Sequence, residues 1–185
     1  MITCTTLCYL EKNDSYLMLH RIRKKADVNK DKWIGVGGHC EDGESPEDCV
    51  RRETFEETGI KLNSERFRGI ITFVCGSNIT EYMMLFTSDD FMPYDPDDPE
   101  VLKDCDEGVL EWVAKKDINK LNLWPGDKIF LKLIDEDWTF FSLKLVYDKD
   151  DTFISAALNG KELDLKRIFE NEGVITDKPL ESFYI

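Results

Sequence analysis

Residues 38–60 read GHCEDGESPEDCVRRETFEETGI, and this stretch decides the fold. It places Glu53, Glu56 and Glu57 at positions i, i+3 and i+4, which share one face of an α-helix. Carboxylates held that close repel one another unless a cation lies among them, and hard oxygen ligands favour Mg²⁺ or a similar ion. The alternative is a solvated acidic helix face, and the flanking residues argue against it.

The stretch carries signals for both ends of the helix. Ser45 is a good N-cap, Pro46 suits the first helical position, and Asp48 stands where the acid of a capping box stands. Gly59 can adopt the left-handed conformation that closes a helix. The sequence therefore predicts a helix that begins after Ser45 and ends before Gly59.

The residues around this helix complete the local prediction. Val50 and Thr54 lie one turn apart, on a face that adjoins the three carboxylates, so we expect them to face the core. Glycines before the helix allow the backbone to pass close to a ligand or a metal. These glycines are Gly35, Gly37, Gly38 and Gly43. The predicted unit is a strand, a glycine-rich loop, an acidic helix and a tight stop.

This segment resembles the Nudix box. The pattern of that box is glycine, five residues, glutamate, seven residues, Arg-Glu, an apolar residue, any residue, Glu-Glu, any residue, glycine and an apolar residue. The positions that match are Gly38, Glu44, Arg52, Glu53, Glu56, Glu57, Gly59 and Ile60. Thr54 departs from it, since an aliphatic residue is usual there. Threonine is close to valine in size, so we expect a small packing change rather than lost chemistry.

The resemblance implies a fold and a reaction. Nudix proteins are α+β proteins, built as an α/β/α sandwich around a mixed β-sheet, and most of them cleave a nucleoside diphosphate linked to another group. The resemblance implies that Glu53, Glu56 and Glu57, with the Gly38 carbonyl, hold Mg²⁺, for which Mn²⁺ can substitute. Bound Mg²⁺ would offset the charge that develops at phosphorus and activate the attacking water.

The identity of the general base stays open, and one box residue is assigned a structural role. Glu53, or a carboxylate outside the box, would take the proton from the attacking water, because family members differ here. Arg52 is interpreted as structural, pairing with a carboxylate of the box such as Glu44 to fix the loop.

Segments outside the box resemble the MutT-type enzymes that remove oxidised purine nucleotides, in particular their Gram-positive bacterial members. This similarity covers roughly residues 2–147 and is strongest in three blocks. The blocks are residues 18–21, 33–38 and 106–113. In such enzymes an acid in the loop that corresponds to residues 106–108 completes the metal or base set. We therefore predict Glu107 as the fourth carboxylate; the alternative is an ordinary loop acid before a strand.

The residues that would recognise the base are predicted by a weaker resemblance. The segment Trp124-Pro125-Gly126-Asp127 resembles a Trp-Pro-Asp-Asp segment in animal oxidised-purine triphosphatases, where the tryptophan stacks on the base and the acids bind its edge. Gly126 replaces the first acid, and Ile34 stands where those enzymes carry an asparagine. The alternative is a core tryptophan followed by an aspartate that caps a helix.

Basic residues near the box are candidates for phosphate binding. Arg21 and Arg23 could hold the triphosphate, since a guanidinium binds phosphate in a bidentate manner, although an ordinary surface arginine is an equal alternative. His39 stands where many relatives have lysine, and we expect an orienting or incidental role for it. His20 is interpreted as a strand residue rather than a catalyst.

Size and charge set further limits. The chain has 185 residues and 42% hydrophobic residues, enough for one domain with a core. We expect the Nudix domain over residues 1–148 and an extension over residues 149–185 packed on the same domain. The net charge of −14 would repel polymeric nucleic acid, whereas a nucleotide delivered with Mg²⁺ is acceptable.

Location and cysteine chemistry follow from the same composition. No apolar run approaches the ~18 residues of a membrane span, so we expect a cytoplasmic protein, either a monomer or a homodimer. The cysteines are scattered without a CxxC pair, and we expect neither zinc nor a disulfide. Two of them, Cys4 and Cys8, lie in the first predicted strand and are interpreted as buried free thiols.

Hydrophobic periodicity and turn residues give the order of elements. The predicted strands cover residues 2–10, 16–22, 33–37, 70–75, 81–87, 109–113, 140–147 and 153–157, with the first two forming a hairpin around Asn13-Asp14. The predicted helices outside the box cover residues 127–134 and 163–171. Residues 23–32 and 89–103 are predicted as loops.

We predict a Mg²⁺-dependent pyrophosphohydrolase that converts a nucleoside triphosphate, with 8-oxo-dGTP the favoured substrate, to the monophosphate and pyrophosphate, and so cleans the nucleotide pool. Another dNTP, a dinucleoside polyphosphate or a nucleotide sugar is the nearest alternative substrate. A Nudix domain that only senses a ligand is the alternative from another class. Such domains often lose box glutamates, and this chain keeps all of them.

Overall fold

In a computed structural model of the chain, the described residues are 2–24, 26–76, 79–169, 175–176 and 178–185. The strands are β1 (Ile2–Lys12), β2 (Ser15–His20), β3 (Trp33–Ile34), β4 (Lys61–Cys75), β5 (Ile79–Met92), β6 (Val109–Ala114), β7 (Phe141–Tyr147), β8 (Phe153–Leu158) and β9 (Lys161–Glu162). The α-helices are α1 (Pro46–Thr58), α2 (Pro125–Asp135) and α3 (Leu165–Ile168). Short 3₁₀ helices cover Lys115–Lys120 and Leu180–Phe183.

The chain divides into two compact units. The box unit comprises Thr5–Phe67 and Leu85–Leu123, and the tail unit comprises Arg68–Met84, Trp124–Ile185 and the first residues of β1. Strands β1, β4 and β5 each contribute residues to both units. Residues 149–185 belong to the same unit as residues 124–148, and the predicted boundary at residue 148 stays a prediction.

In the box unit, a hairpin provides the strands that position the box. Its turn at Asn13 and Asp14 has φ of 50° and 58°, a conformation that these two residue types tolerate, so the predicted hairpin is confirmed. β2 also pairs antiparallel with β3 and β6. Consecutive residues of β1 and β2 are nearly inaccessible, which shows that both faces of these strands are covered.

Helix α1 follows the sequence prediction at both ends. The Ser45 side chain accepts a hydrogen bond from the Asp48 amide, and the Asp48 side chain accepts one from the Ser45 amide, which completes the capping box. Gly59 closes the helix in the left-handed region, at φ of 72°. Val50 and Thr54 are fully buried, as expected for the core face of the helix.

In the tail unit, one parallel pairing makes the sheet mixed. β4 runs parallel to β7 from Gly69–Phe141 to Cys75–Tyr147, whereas β7 pairs antiparallel with β8. Alternate residues of β7 are buried, and α2 contributes a buried face with Ile129, Phe130 and Leu133. The predicted α+β class with a mixed sheet is confirmed.

Several element boundaries differ from the prediction. β4 begins at Lys61 rather than residue 70, because its first residues are mostly polar and hide the strand pattern. β5 continues to Met92, so the loop predicted from residue 89 begins later. β3 ends at Ile34 instead of residue 37, since Val36 forms only an isolated bridge with Cys8.

The end of the chain also differs. The helix predicted over residues 163–171 is confined to α3, because Leu163 bridges to Tyr184 in extended conformation, and residue 171 lies outside the described residues. The short strand β9 and both 3₁₀ helices were not predicted from the sequence.

The cysteines are free thiols in the structure. Cys8 is fully buried, and burial raises the pKa of its thiol far above the usual range. Cys4 is exposed, so the prediction of burial is wrong for it, because burial along β1 begins only at Thr5. Within the described part of the chain, no helix is long and apolar enough to cross a membrane.

Candidate active site

The loop before α1 brings its backbone against the first box carboxylate. A Cβ atom at Gly38 would lie 2.5 Å from Cδ of Glu53 and 2.6 Å from both of its carboxylate oxygens. A larger residue at this position would displace the Glu53 carboxylate from the orientation that it has here. The Gly38 carbonyl also accepts the amide hydrogen bond of Thr6 at 2.8 Å, which anchors the loop to β1.

Glu57 lies on the same side of the loop. Its Oε2 accepts a hydrogen bond from the Gly37 amide at 3.0 Å. Burial raises the pKa of Glu57 to about 7, and the charge of Glu53 acts in the same direction. The helix therefore holds two acidic groups close enough to repel each other beside the glycine turn, as the spacing predicts.

Arg52 is the centre of a hydrogen-bond network within the box. Its Nε and Nη2 donate to the two carboxylate oxygens of Glu44, at 2.7 and 2.9 Å. Its Nη1 donates to Glu53 at 2.8 Å and to the more exposed Glu56 at 3.3 Å, and Nη2 also donates to the His39 carbonyl at 3.0 Å. The predicted pairing of Arg52 with Glu44 is confirmed.

This network changes the protonation of its members. The hydrogen bonds from Arg52, and then that from the Glu41 amide, lower the pKa of Glu44 to about 2. The same pairing raises the pKa of Arg52 above its usual range. Glu44 and Arg52 are therefore fully charged at neutral pH, and they fix the loop by a bidentate pair.

A second group of charges joins two loops of the box unit. This group, which we name the arginine–glutamate cluster, consists of Arg21, Lys24, Asp27 and Glu107. Arg21 donates through Nε to Asp27 at 2.8 Å and through Nη1 to Oε2 of Glu107. Lys24 donates to Oε1 of Glu107, so both oxygens of that carboxylate are bound by cations.

Asp27 is the least exposed member of the cluster, with 5% of its side chain accessible. Burial alone would raise the pKa of Asp27. The hydrogen bonds from Arg21 and from the Asn29 amide outweigh that effect and hold the pKa below its usual value. Asp27 is thus an ionised carboxylate in a shielded position, and the sequence prediction missed it.

Arg23, the second arginine predicted to bind the triphosphate, also has protein partners. Arg23 donates to Asp104 at 2.5 Å and to the Cys105 carbonyl at 2.7 Å. His20 stacks on Trp33 with ring centroids 4.4 Å apart and pairs with Asp31, which agrees with its interpretation as a strand residue. Both predicted phosphate-binding arginines are thus paired with protein carboxylates.

The donor chemistry of the box fits a hard divalent cation. The carboxylates of Glu53 and Glu57 and the Gly38 carbonyl offer oxygen ligands only, the type that hard cations prefer. Among the described residues, no three Asp, Glu, His or Cys side chains converge closely enough to form a complete metal site. Glu56 turns toward Arg52, and Glu107 is bound to its two cations.

The residues predicted to recognise the base lie in the tail unit. Trp124 occupies the N-cap position of α2 and contacts Tyr147 edge-on, with ring centroids 5.6 Å apart. Asp127 lies in the first helical turn and is only 7% exposed. The Tyr147 hydroxyl accepts the Gly126 amide hydrogen bond at 2.8 Å.

The family model of the NUDIX domain matches residues 3–134. The chain belongs to the Nudix family. It is 34% identical over 124 residues to the uncharacterised Nudix hydrolase YvcI of Bacillus subtilis, covering 66% of this chain and 72% of that protein. It is 27% identical over 142 residues to the oxidized purine nucleoside triphosphate hydrolase of Mus musculus, covering 76% of this chain and 85% of that protein.

Solved structures show the same fold. A MutT protein from Bacillus halodurans superimposes with a TM-score of 0.72 at 27% identity, covering 85% of this Nudix chain and 97% of that structure. The protein is accordingly a hydrolase of phosphorus anhydrides, with a MutT-like fold. Nudix hydrolases generally use divalent metal ions, which agrees with the oxygen-only donor set of the box.

Proposed function

We propose that this Nudix hydrolase converts a nucleoside triphosphate, preferentially 8-oxo-dGTP, to the monophosphate and pyrophosphate, and so cleans the nucleotide pool. The observation that carries the proposal is the pair of carboxylates, Glu53 and Glu57, held beside the glycine turn at residue 38. The similarity to the mouse oxidized purine nucleoside triphosphate hydrolase supports the choice of substrate class.

The metal in this proposal is Mg²⁺, for which Mn²⁺ can substitute. Its ligands would come from the Gly38 carbonyl and the carboxylates Glu53, Glu56, Glu57 and Glu107. When bound there, the ion would offset the charge that develops on the phosphate oxygens and lower the pKa of the attacking water. The other catalytic contributions come from the side chains themselves.

Within the box, Arg52 acts by holding other residues. It binds Oε1 of Glu53 and both oxygens of Glu44, so the loop and the first carboxylate keep one orientation. We assign Glu53 as the group that accepts a proton from the attacking water, with Glu107 as the second candidate. Catalysis of this kind depends on a base held at one position.

The substrate contacts of this proposal are those that the sequence predicts. Arg21 would bind the triphosphate through Nη2 while its Nε and Nη1 stay on Asp27 and Glu107, and Arg23 would bind it by giving up Asp104. Trp124 would stack on the purine, and Asp127 would accept a hydrogen bond from its edge. The proposal also places the protein in the cytoplasm, as a monomer or homodimer that binds neither membranes nor polymeric nucleic acid.

The test is pyrophosphate release with Mg²⁺ across a panel at matched low concentration. The panel contains 8-oxo-dGTP, dGTP, dATP, dCTP, a dinucleoside polyphosphate and a nucleotide sugar. We expect kcat/KM for 8-oxo-dGTP to exceed that for dGTP by at least ~100-fold. A preference for another compound would contradict the assigned substrate and leave the Nudix chemistry in place.

A further inference from the structure

Asp27 lies in a loop for which no chemical role is predicted from the sequence, yet it is a shielded carboxylate with two directed contacts. Its Oδ1 accepts the Asn29 amide at 3.0 Å, and its Oδ2 accepts Nε of Arg21 at 2.8 Å. One oxygen therefore shapes the local turn, while the other binds a side chain of the neighbouring strand end.

Arg21 is fixed by this contact and by its backbone. Its amide donates to the Lys32 carbonyl at 2.9 Å, and its own carbonyl accepts the Asp31 amide at 2.7 Å. Because the guanidinium is planar and rigid, a bond at Nε sets the direction in which Nη1 points. In the structure Nη1 points at Oε2 of Glu107.

We propose that Asp27 is a positioning residue, which orients the Arg21 guanidinium so that it holds Glu107 in place for hydrolysis. The inference rests on the proposed function, which gives Glu107 its role in the metal or base set. A second observation places the loop of Glu107 beside the box helix, since Nζ of Lys103 in that loop donates to the Glu56 carbonyl at 2.5 Å.

The two oxygens of Asp27 allow its structural and positioning roles to be separated. In Asp27→Asn, the carbonyl oxygen can still accept the Asn29 amide, while the new NH₂ group faces Nε of Arg21, donor against donor. In that orientation the variant keeps the turn and breaks the contact with Arg21. In the flipped orientation the turn contact is lost instead, and the resulting structural loss would persist in the Glu107→Gln background. Asp31→Asn is the matched control, because Asp31 is an exposed carboxylate of the same loop that pairs with His20.

The experiment measures kcat, KM and the Mg²⁺ requirement for 8-oxo-dGTP hydrolysis in the full chain. The variants are Asp27→Asn, Glu107→Gln, the double variant and Asp31→Asn. We expect Asp27→Asn to lower kcat by about 10- to 100-fold, the range seen when a residue that orients a ligand is lost. In the Glu107→Gln background the same change should alter kcat by less than about twofold, and Asp31→Asn should stay within about twofold of wild type.

The double variant distinguishes positioning from a general loss of structure, because a purely structural effect would persist without Glu107. Losses that multiply in the double variant, or full activity of Asp27→Asn, would overturn the inference while the proposed function stands. Full activity of Glu107→Gln would overturn both the inference and the role of Glu107. Absence of nucleotide hydrolysis by the wild-type chain would instead contradict the proposed function itself.

A second variant covers the case in which Asp27→Asn fails to fold. Arg21→Lys keeps the positive charge but cannot bind Asp27 and Glu107 through two edges of one planar group. We expect it to lower kcat, with that loss also disappearing in the Glu107→Gln background. Persistence of the loss in that background would overturn the inference.

Discussion

The box and the arginine–glutamate cluster are both charge networks of the same unit, but they differ in their charge balance. In the box, Arg52 pairs with three carboxylates, Glu44, Glu53 and Glu56, and Glu57 is a further acid held by the Gly37 amide. In the cluster, two cations face two carboxylates, so its charges balance without a metal. Negative charge without a protein counterion is therefore concentrated in the box, where an added divalent cation would be most stabilising.

The two regions also differ in how their contacts are encoded. The contacts of Arg52 with side chains of the box join residues one to eight positions apart. Those of Glu107 with Arg21 and Lys24 join residues 86 and 83 positions apart. Short sequence separation, partly within one helix, determines the first set, whereas the pairing of β2 with β6 helps bring the second set together.

The largest effect that tests this contrast is expected for Glu53→Gln. The change keeps the size of the side chain and removes its negative charge and its basicity, so we expect kcat to fall by about 10²- to 10⁴-fold while nucleotide binding is retained. Pyrophosphate release gives kcat, and calorimetry gives nucleotide affinity. Glu47→Gln, in the first turn of the same helix, should leave kcat nearly unchanged; a sensor domain would show equal results for both variants.

A smaller loss is expected for Arg52→Lys. Lysine keeps the charge but cannot bind both oxygens of Glu44 and also Glu53, so we expect a fall of about 10- to 100-fold in kcat/KM. Arg51→Lys is the control. Arg51 occupies the neighbouring position of the same helix, and it pairs with Glu65 of β4 instead of with the box carboxylates. Equal losses in the two variants would show that helix stability, rather than orientation of the box, is being measured.

The burial of Glu57, together with the charge of Glu53, should also be visible as a dependence of stability on pH. The pKa of Glu57 is raised to about 7, so the metal-free folded protein retains that proton over a range where the unfolded chain has lost it. This contribution to stability is present below the unfolded pKa of about 4.5 and is lost as the pH rises through about 7.

The matched comparison is wild type against Glu57→Gln, by chemical denaturation in EDTA. Between pH 5 and 7 we expect the stability of wild type to fall relative to the variant, with a slope of at most ~1.4 kcal/mol per pH unit. Mg²⁺ should reduce this difference, because metal binding favours the deprotonated carboxylate. Parallel pH profiles for the two proteins would contradict the raised pKa.

The smallest effect concerns the one position that departs from the box pattern. In the described part of the chain, the buried Thr54 Oγ1 has no hydrogen-bond partner. Thr54→Val should therefore stabilise the protein by about 1 kcal/mol without changing kcat. Thr58→Val should destabilise it, since Thr58 Oγ1 donates to the Thr54 carbonyl and accepts the Ile60 amide. Thermal denaturation of both variants checks the sign of each change.

The sequence was sufficient to predict the helix of the box with both caps, its buried face and the Arg52–Glu44 pair, because each depends on residues within one or two turns. It was not sufficient for the first part of β4, where polar residues conceal the strand pattern. One of them, Glu65, accepts hydrogen bonds from the Arg51 side chain. Asp27 was missed for another reason. Its role depends on the direction of one guanidinium, and no spacing in the sequence carries that information.

The most direct test of the box as the hydrolytic centre is a Mg²⁺ titration of pyrophosphate release from 8-oxo-dGTP, begun in EDTA. The charge excess in the box predicts no measurable turnover without the divalent ion, recovery of wild type as Mg²⁺ or Mn²⁺ is added, and no comparable recovery of Glu53→Gln. Full turnover in EDTA, or equal recovery of wild type and Glu53→Gln, would contradict the assignment of the box as the metal-dependent hydrolytic centre.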